Sequence, residues 1–506
     1  MKNLKFIKES FYREFELISQ GQVMTRPLAL PFDDFLIAKW QSEPLKRIFR
    51  LQETEDDDFL KFGFALCKAG LSWDYDDLLV MTDAANKQVP LIFQLYRLWF
   101  EEQKSPLEME ELLTKYYDIG NKMTDYHTDA IDLLTNLVSI PSPSEQEEAA
   151  SRYLVKWLNE HGLTAQVDKA GNAVGVKGHG AKEILLLGHI DTFPGDVPVR
   201  REGDLLYGRG SVDAKGPLCT FAAAASLVDV PADWRITVVG AVEEECATSK
   251  GARYILQQRL SAEARAEMKF PYFSVIDEPC LPAPSFCVIG EPSHWDRVTL
   301  GYKGRLLMDV TLHVPFSHSA GEGRLPAEQG VDFWQAVERV CYDFNQSHEA
   351  TSPFNRLDPS LRHIASHDEG AYGRVELSIG FRLPETVTPN ELVEQLAALS
   401  TTLPTGTTAE IYFSGAEMAY KGDKSNPLVR AFLGAIRQAN GQPRFVVKTG
   451  TADMNVVGPH WSQTPMVAYG PGDSSLDHTP DEHTSVTEYL QAIEVLRGAL
   501  TKLMTG

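Results

Sequence analysis

The chain has 506 residues, which is too long for one ordinary core and predicts roughly two to four domains. With 43% hydrophobic and 23% charged residues it has the composition of a soluble globular protein, and no apolar run approaches the roughly 20 residues that a bilayer span needs. The formal net charge of -22 argues against nucleic acid and anionic membranes as partners, because both need basic surfaces. The first residues lack a continuous apolar signal segment, so a cytoplasmic location is expected.

Residues 1–125 differ in sequence pattern from the rest of the chain. They contain the acidic run ETEDDD at 53–58 and apolar segments with helical spacing, such as PLIFQLYRLWFEE at 90–102. No part of this region groups histidine, cysteine and carboxylate side chains at the spacing of metal ligands, and the acidic run is typical of a solvated surface. We therefore expect a mainly helical N-terminal accessory domain over 1–125.

From about Tyr126 the sequence alternates between helical and strand-like segments, which is typical of an α/β fold. A helix is predicted through DAIDLLTNLVSI, and strands rich in Val, Leu and Ile follow the turn PSPSEQEEAA. Residues 299–412 have the pattern of a separate module, with strands near LLMDVTLHV and GRVELSIGFRL and helices near AEQGVDFWQAVERVCYDF and PNELVEQLAALSTTL. The remainder, 126–298 and 413–506, is the expected catalytic domain.

The segment LLLGHIDTFPGD, residues 185–196, places His189 and Asp191 at the end of a hydrophobic strand. Side chains two residues apart in a strand point the same way, so these two residues are expected to share one site. An isolated H-x-D pattern is more often an ordinary histidine in a strand-end turn. The other motifs of the chain have to decide between the two interpretations.

Further acidic and imidazole side chains follow other predicted strands. They occur in GRGSVDAKG at 208–216, VEEEC at 242–246, GEPS at 290–293 and LDHTPDEH at 476–483. Each motif is weak alone, but together they offer a set of histidine and carboxylate ligands: His189, Asp213, Glu245, Glu291 and His478. Mixed nitrogen and oxygen ligation of this kind suits a pair of divalent transition metals and requires no thiolate.

The order and spacing of these motifs resemble the co-catalytic zinc aminoacylase and carboxypeptidase superfamily, which includes acetylornithine deacetylase, succinyl-diaminopimelate desuccinylase and carboxypeptidase G. The resemblance covers roughly residues 128–506, about three quarters of the chain. The segments GHIDTFPG, LGYKGRLL, SIGFRLP and KTGTADMN are most similar to those members that release lysine or ornithine from an amino-group carrier protein. No resemblance extends over residues 1–125.

The resemblance implies a catalytic domain with a mixed sheet flanked by helices and an inserted smaller α+β domain that serves as lid and dimerisation domain. It also implies two Zn2+ ions per chain, with Co2+ as a possible substitute. The implied ligands are Asp213 for both ions, His189 and Glu291 for one, and Glu245 and His478 for the other. Asp191 would then hold His189 in place, because a ligating imidazole needs its other ring nitrogen fixed by an acceptor.

The consecutive residues Glu243, Glu244 and Glu245 leave an assignment open. Relatives usually carry Asp-Glu-Glu here, with the middle residue as general base and the last as metal ligand, whereas this chain has glutamate in the first position. Counting back from Gly251 favours Glu244 as base and Glu245 as ligand. A shift by one place is the alternative.

The resemblance also implies that His318 in VPFSHSAG is the lid histidine, which donates to the carbonyl oxygen as charge develops there. In relatives that dimerise, the partner subunit can supply this histidine, so a homodimer formed through the lid is implied. The implied substrate-binding residues are Arg382, Thr449, Gly450 and Thr451. A guanidinium suits carboxylate geometry, and a surface cation on an edge strand is the alternative interpretation of Arg382.

These residues and the resemblance together predict a dinuclear metal-dependent amidohydrolase that acts on an N-acylated amino acid. Metal ions would polarise the carbonyl and acidify water, and Glu244 would move a proton from the water to the leaving amine. The favoured substrate is lysine or ornithine linked through its amino group to the terminal glutamate of an acidic carrier protein.

Three alternatives to the carrier-linked substrate are open. A small acylated amino acid would make the protein an acetylornithine-type deacetylase, and a peptide substrate would make it a metallo-dipeptidase or carboxypeptidase. A binding or scaffold protein that has lost the chemistry is the alternative outside the enzymes. Residues 126–506 carry 32 Lys+Arg against 48 Asp+Glu, a difference of -16, which counts against an acidic carrier unless a local basic patch exists.

Overall fold

The structure is a computed structural model that describes residues 126–267, 280–316 and 323–505. The predicted helical domain over 1–125 and the predicted lid residue His318 lie outside these ranges. Residues Ile131–Gly506 form one compact unit of the chain. Within the described ranges, no helix combines the length and the hydropathy needed to cross a bilayer.

Helices and strands alternate along this unit, as the sequence predicts. The helices are α1 (126–138), α2 (Glu148–Glu160), α3 (Lys215–Leu227), α4 (Lys250–Gln257), α5 (Ala262–Glu267), α6 (Pro326–Ser347), α7 (Pro389–Ala397), α8 (Pro427–Gln438), α9 (Asp453–Val457) and α10 (Val486–Thr505). The strands are β1 (Thr164–Val167), β2 (Ala173–Gly178), β3 (Lys182–His189), β4 (Arg200–Glu202), β5 (Leu205–Tyr207), β6 (Trp234–Ala241), β7 (Phe286–Gly290), β8 (Arg297–Tyr302), β9 (Gly304–Pro315), β10 (Asp358–Glu369), β11 (Tyr372–Leu383), β12 (Thr408–Glu417), β13 (Tyr420–Lys421), β14 (Arg444–Lys448), β15 (Met466–Tyr469) and β16 (His483–Ser485).

The larger sheet has nine strands in the order β1-β2-β6-β3-β7-β15-β8-β13, and β14 pairs with β8. Its central strands β6, β3, β7 and β15 are parallel neighbours, whereas β1, β2 and β13 pair antiparallel. Strand β3 is buried along its length after Lys182, which explains its continuous run of leucines, because a parallel strand is covered on both faces.

Helix α3 packs closely on this sheet. Its sequence, KGPLCTFAAAASL, is buried over its first eleven residues. Leu218 lies against two strands at once, since a Cβ atom at Gly188 or Gly240 would come within 3.4 Å or 3.1 Å of the Leu218 side chain. Glycine near the ends of β3 and β6 therefore lets the beginning of α3, just after Asp213, approach the edge where these strands end.

The smaller sheet is antiparallel, with four strands in the order β10-β11-β9-β12. Helices α6 and α7 supply buried residues to the core on one face, and β9 alternates buried and less buried positions, as expected for a sheet covered on one side. The sheet runs from Gly304 to Glu417, and its extent overlaps the predicted module at 299–412. The mixed sheet with flanking helices and the α+β insertion confirm the predicted fold class.

A single residue, Lys303, joins β8 of the larger sheet to β9 of the smaller one. Its side chain is fully buried, and its Nζ donates to the Pro353 carbonyl at 3.0 Å and to Asp358 Oδ2 at 2.7 Å. Its own carbonyl accepts from Thr451 Oγ1 and from Asn455 Nδ2, both at 3.2 Å. The junction is therefore fixed through both main chain and side chain.

Candidate active site

The ends of three parallel strands carry the first residues of the site. Strand β3 ends at His189, β6 ends two residues before Glu243, and β7 ends directly before Glu291. A Cβ atom at Gly290 would lie 2.8 Å from Gly188 Cα, so glycine permits close approach of the two strand ends. Because the carboxyl ends of parallel strands share one edge of a sheet, motifs that are distant in the chain meet there.

Asp213 lies between two histidines. Its Oδ1 is 3.2 Å from His189 Nε2, and its Oδ2 is 3.1 Å from His478 Nε2. The same His478 nitrogen is 3.0 Å from Glu245 Oε1. Ligand atoms of Asp213, Glu245 and His478 all lie within 4.8 Å of one another, which is close enough for one cation to contact all three.

The charges of this cluster shift each other's pKa values. Burial and the charge of Asp213 raise the pKa of Glu291 to about 8 and the pKa of Asp477 to about 9. Hydrogen bonds to Asp213 and to a second carboxylate raise the pKa of His478 to about 10. For Asp213 itself, burial is outweighed by the hydrogen bonds from His189 and His478, which lower its pKa. A bound divalent cation would stabilise such a concentration of carboxylates.

Asp191 is fully buried and connects two parts of the site. Its backbone oxygen is 3.1 Å from His189 Nδ1, and its carboxylate Oδ1 is 3.4 Å from the same nitrogen. The carboxylate also accepts from the backbone N–H groups of Glu244 and Glu245, both at 3.0 Å, and from Ser144 Oγ at 2.8 Å. Asp191 thus fixes both the imidazole and the turn that carries the glutamates, whereas the sequence pointed only to the imidazole.

The three consecutive glutamates have different surroundings. Glu243 accepts from Thr248 Oγ1 at 2.8 Å and from Lys250 Nζ at 2.9 Å, so its carboxylate is already occupied by the protein. Glu245 lies among the ligand atoms described above. Burial raises the pKa of both Glu244 and Glu245, so this shift does not distinguish the two residues. These surroundings favour Glu244 as base over a shift by one place.

Sequence analysis missed Glu482, which holds the loop that carries Asp213. Its buried Oε1 accepts from the backbone N–H groups of Gly210, Val212 and Asp213 at 2.9, 3.0 and 3.1 Å, and its Oε2 accepts from Arg209 Nη1 at 2.7 Å. The available signal was an acidic residue near His478. Its partner loop lies about 270 residues away, at separations of 269 to 272, so spacing gave no indication of the contact.

A second residue that the sequence did not single out is Phe193 of the GHIDTFPG segment. Its ring stacks on the His478 ring, with centroids 4.2 Å apart and an angle of 11° between the planes. Phe193 is 41% exposed, so the stacked pair lies at the protein surface. Stacking therefore fixes the ring orientation of a candidate metal ligand.

The predicted substrate-binding residues are only partly brought together. Arg382 Nη1 donates to Thr451 Oγ1 at 2.6 Å, and burial lowers the pKa of Arg382 to about 10 against the opposing charge of Glu244. Gly450 has open space around it, since a Cβ atom there would meet no atom within 4 Å, and Thr449 is exposed. His318 lies outside the described residues.

Comparison with known proteins identifies the group to which this site belongs. Residues 185–502 match the model of peptidase family M20/M25/M40. A relative from Deinococcus radiodurans, named LysW-lysine hydrolase, is 43% identical over 384 residues, which are 74% of this chain and 98% of the relative. A relative from Pyrococcus abyssi, named putative LysW-lysine/LysW-ornithine hydrolase, is 36% identical over 374 residues, which are 74% of this chain and 94% of the relative.

Solved structures share the fold. An M20 family metallo-carboxypeptidase from Sulfolobus solfataricus has a TM-score of 0.56 and 17% identity, and the match covers 74% of this chain and 98% of that one. Human carnosine dipeptidase 1 also has a TM-score of 0.56, with 13% identity, and the match covers 76% of this chain and 98% of that one. The chain belongs to peptidase family M20/M25/M40 and is a metal-dependent hydrolase of amide bonds.

Proposed function

We propose that the protein hydrolyses the amide that links the amino group of lysine or ornithine to the terminal glutamate of an acidic amino-group carrier protein. The substrate is supported by the Deinococcus radiodurans relative, which this chain covers almost completely at 43% identity. The observation that carries the chemistry is the convergence of His189, Asp213, Glu245 and His478 at one edge of the larger sheet.

The donor set fits zinc. Its members supply imidazole nitrogen and carboxylate oxygen atoms, which Zn2+ accepts, and Asp213 presents one carboxylate oxygen to each histidine, as a residue shared by two ions would. The proposed ligands of two Zn2+ ions are Asp213 for both, His189 and Glu291 for one, and Glu245 and His478 for the other. The same donors accept Co2+. When bound, the ions supply Lewis acidity that polarises the scissile carbonyl and lowers the pKa of the attacking water.

The side chains around these ligands would position the substrate and move protons. The Glu244 carboxylate takes a proton from the attacking water and delivers it to the leaving amine nitrogen. Asp191 keeps Glu244 in place through the backbone hydrogen bond of 3.0 Å. Arg382 and Thr451 bind the carboxylate of the released amino acid, with Thr449 and Gly450 beside them. His318 donates to the carbonyl oxygen.

The proposed arrangement of the whole chain follows the sequence prediction. Residues 126–298 and 413–506 form the catalytic domain, and 299–412 form the lid through which a homodimer assembles. Residues 1–125 contribute docking or assembly. The cytoplasm is the proposed location, since carrier-linked amino acids are metabolic intermediates inside the cell.

A substrate comparison tests the proposal. The zinc-reconstituted full chain is assayed with lysine and ornithine joined to the terminal glutamate of a carrier, and with acetyl-lysine, acetyl-ornithine, succinyl-diaminopimelate and dipeptides. We expect the highest kcat/KM for the carrier-linked amino acids. A higher value for acetyl-ornithine or for a dipeptide would assign the corresponding alternative activity, and no hydrolysis of any substrate by metal-loaded protein would favour a scaffold role.

A further inference from the structure

Three guanidinium groups share the uncovered face of the smaller sheet, at the end that joins the larger one. Arg305 on β9 and Arg382 on β11 are direct partners in the strand register. Arg362 on β10 lies over Gly380, since a Cβ atom there would be only 2.7 Å from Arg362 Nε. Burial, with the charges of Arg305 and Arg362, lowers the pKa of Arg382 to about 10. The three cations are therefore close enough to repel one another.

Two irregularities in strand pairing lie beside Arg362 and Arg305. The register between β10 and β11 shifts at Arg362, and the register between β12 and β9 shifts around Gly415. Arg305 Nε donates to the Gly415 carbonyl at 3.3 Å, and Gly415 has a φ of 58°, a conformation that favours glycine. Bulges redirect side chains and are frequent beside active sites, so both irregularities favour a functional arrangement.

None of the three arginines forms an ion pair among the described residues, although Glu417 lies opposite Arg305 in the strand register and interacts with its charge. Arg259 pairs with Glu183 at 2.9 Å and Lys303 with Asp358 at 2.7 Å. By contrast, Arg305 Nη2 is buried and makes no hydrogen bond within the described ranges, and the hydrogen-bond partner of Arg382 is a neutral hydroxyl. Because Glu417 already pairs with Arg253, the three arginines carry excess positive charge, which a bound anion would relieve.

The chemistry of the proposed substrate provides two such anions. A terminal glutamate has two carboxyl groups, of which one forms the scissile amide and the other stays ionised. The lysine or ornithine retains a carboxylate of its own. An acetylated amino acid has only the second of these carboxylates, so a cluster of three guanidinium groups exceeds what it needs.

We propose that Arg305 and Arg362 bind the free carboxylate of the glutamyl group while Arg382 binds the carboxylate of the released amino acid. The smaller sheet would then select amides flanked by two carboxylates, and the three arginines would form a basic patch on a chain whose formal net charge is -22. The inference rests on the proposed function, from which it takes the acyl group and the bond.

A matched pair of small substrates tests this subsite. N-acetylglutamate is joined through one carboxyl group to the α-amino group of lysine, and its other carboxyl group is either free or converted to a primary amide. Each form is prepared with either carboxyl group in the scissile bond. For the zinc-loaded full chain we expect kcat/KM to be roughly 10- to 100-fold higher for the free carboxylate, the range expected for hydrogen bonds to a charged group.

Two single variants, the double variant and one control identify the residues responsible. Arg305→Met and Arg362→Met should each reduce this preference, and the double variant should abolish it while leaving kcat/KM for the uncharged substrate within about threefold of the wild type. Arg374→Met is the matched control, because Arg374 lies on the same face of β11, is half-buried and already pairs with Glu376 and Glu369. It should retain the full preference. Equal losses for both substrates, or no loss for either, would overturn the proposal.

Binding without turnover separates this inference from the proposed function. N-acetylglutamate should raise the melting temperature of the wild type and of Arg374→Met but not of the double variant, with equal melting temperatures for all three proteins when no ligand is added. An equal shift in the double variant, or no shift in the wild type, would contradict the subsite. An arginine-dependent shift in an enzyme that cleaves only acetylated amino acids would support the subsite and reject the proposed function.

Discussion

The two ends of strand β3 both carry buried charge, but the protein treats them differently. Near the start, Glu183 accepts from Thr237 Oγ1 at 2.6 Å, from Arg259 Nη2 at 2.9 Å and from Arg235 Nη2 at 3.2 Å. Burial of Glu183 is outweighed by Arg259 and these other donors, so its pKa lies below the ordinary value. This carboxylate stays ionised because the chain itself supplies the opposite charge.

At the other end of the strand, carboxylates outnumber their partners. The ion-pair partners of Asp213 and Glu245 are the two histidines His189 and His478, and burial raises the pKa of Glu291 to about 8. Buried carboxylates without sufficient partners either take up protons or bind a cation. The comparison indicates that the structural carboxylate Glu183 is neutralised by residues of the chain. The carboxylates at the other end of the strand are instead left to be neutralised by a bound metal ion.

The largest effect on metal content and turnover is expected from removing Asp213, the proposed ligand of both ions. Asp213→Ala deletes the carboxylate that contacts both histidines, so we expect loss of both ions and a fall of turnover to background. Elemental analysis after reconstitution with excess zinc should give about two equivalents for the wild type, because five ligands exceed the need of one tetrahedral ion. A wild-type plateau at one equivalent would contradict the dinuclear site, and Glu183→Gln is the control that should keep its metal.

Variants of Glu243, Glu244 and Glu245 distinguish the roles of these three residues. Glu244→Gln keeps size and polarity but removes the basic oxygen, so metal should remain while kcat falls by roughly 10²- to 10⁴-fold. Glu245→Gln should lose metal, and Glu243→Gln should mainly weaken the contacts with Thr248 and Lys250. Metal content and turnover are measured on all three under the same conditions. Normal turnover of Glu244→Gln with both ions in place would rule out the proposed base.

At the start of strand β3, where Glu183 has cationic partners, a substitution is expected to change stability rather than chemistry. Glu183→Gln leaves Arg259 buried without its counter-charge, which should lower the free energy of unfolding by about 3–5 kcal/mol at pH 7, while turnover below the melting range is kept. The exposed Glu148→Gln change, which breaks the surface pair with Arg152, is the control and should cost about 1 kcal/mol or less.

The contribution of Glu183 to the free energy of unfolding should depend on pH in a definite direction. Because the folded pKa of Glu183 is lower than the unfolded one, its contribution is fully present above the unfolded value of roughly 4.3 and is lost as the pH falls through the folded value. Unfolding curves of the zinc-saturated wild type and Glu183→Gln should therefore converge at acidic pH. Curves that converge at alkaline pH instead would show that Glu183 does not supply this stabilisation.

The smallest effect is expected from deleting residues 1–125. All proposed ligands and the proposed base follow this segment in the chain, so hydrolysis of small acylated amino acids should be largely unchanged. The measurement is kcat/KM of a truncation that circular dichroism shows to be folded and that contains zinc. Inactivity of such a protein would place part of the chemistry in residues 1–125.

The strand-end motifs were predictable because parallel strands bring their carboxyl ends to one edge, whatever their distance in the sequence. The same argument did not assign the three glutamates, because one residue of shift changes which side chain faces the site. They are distinguished by the contacts of Glu243 with Thr248 and Lys250 and by the contact of Glu245 with His478. The contact between Glu482 and the loop before Asp213 depends on tertiary packing alone, so no local pattern predicts it.

The smaller sheet also contains features that the sequence did not predict. Strands β9 and β11 alternate buried and less buried residues and were predicted, whereas β10, with the sequence DPSLRHIASHDE, is mostly exposed and has no apolar alternation to recognise. Arg362 lies on that strand, at its bulge. The arginine cluster was therefore visible in the sequence only through Arg382.

The junction at Lys303 affects the entropy of substrate binding. Domain rotation usually depends on a few residues whose backbone angles change freely, but Lys303 is held by Pro353 and Asp358 through its ammonium group and by Thr451 and Asn455 through its carbonyl. Thr451 also accepts the hydrogen bond from Arg382, so the same contacts restrain the guanidinium that we propose binds the substrate. The same contacts therefore hold the junction and Arg382 before the substrate arrives, so we expect less conformational freedom to be lost on binding.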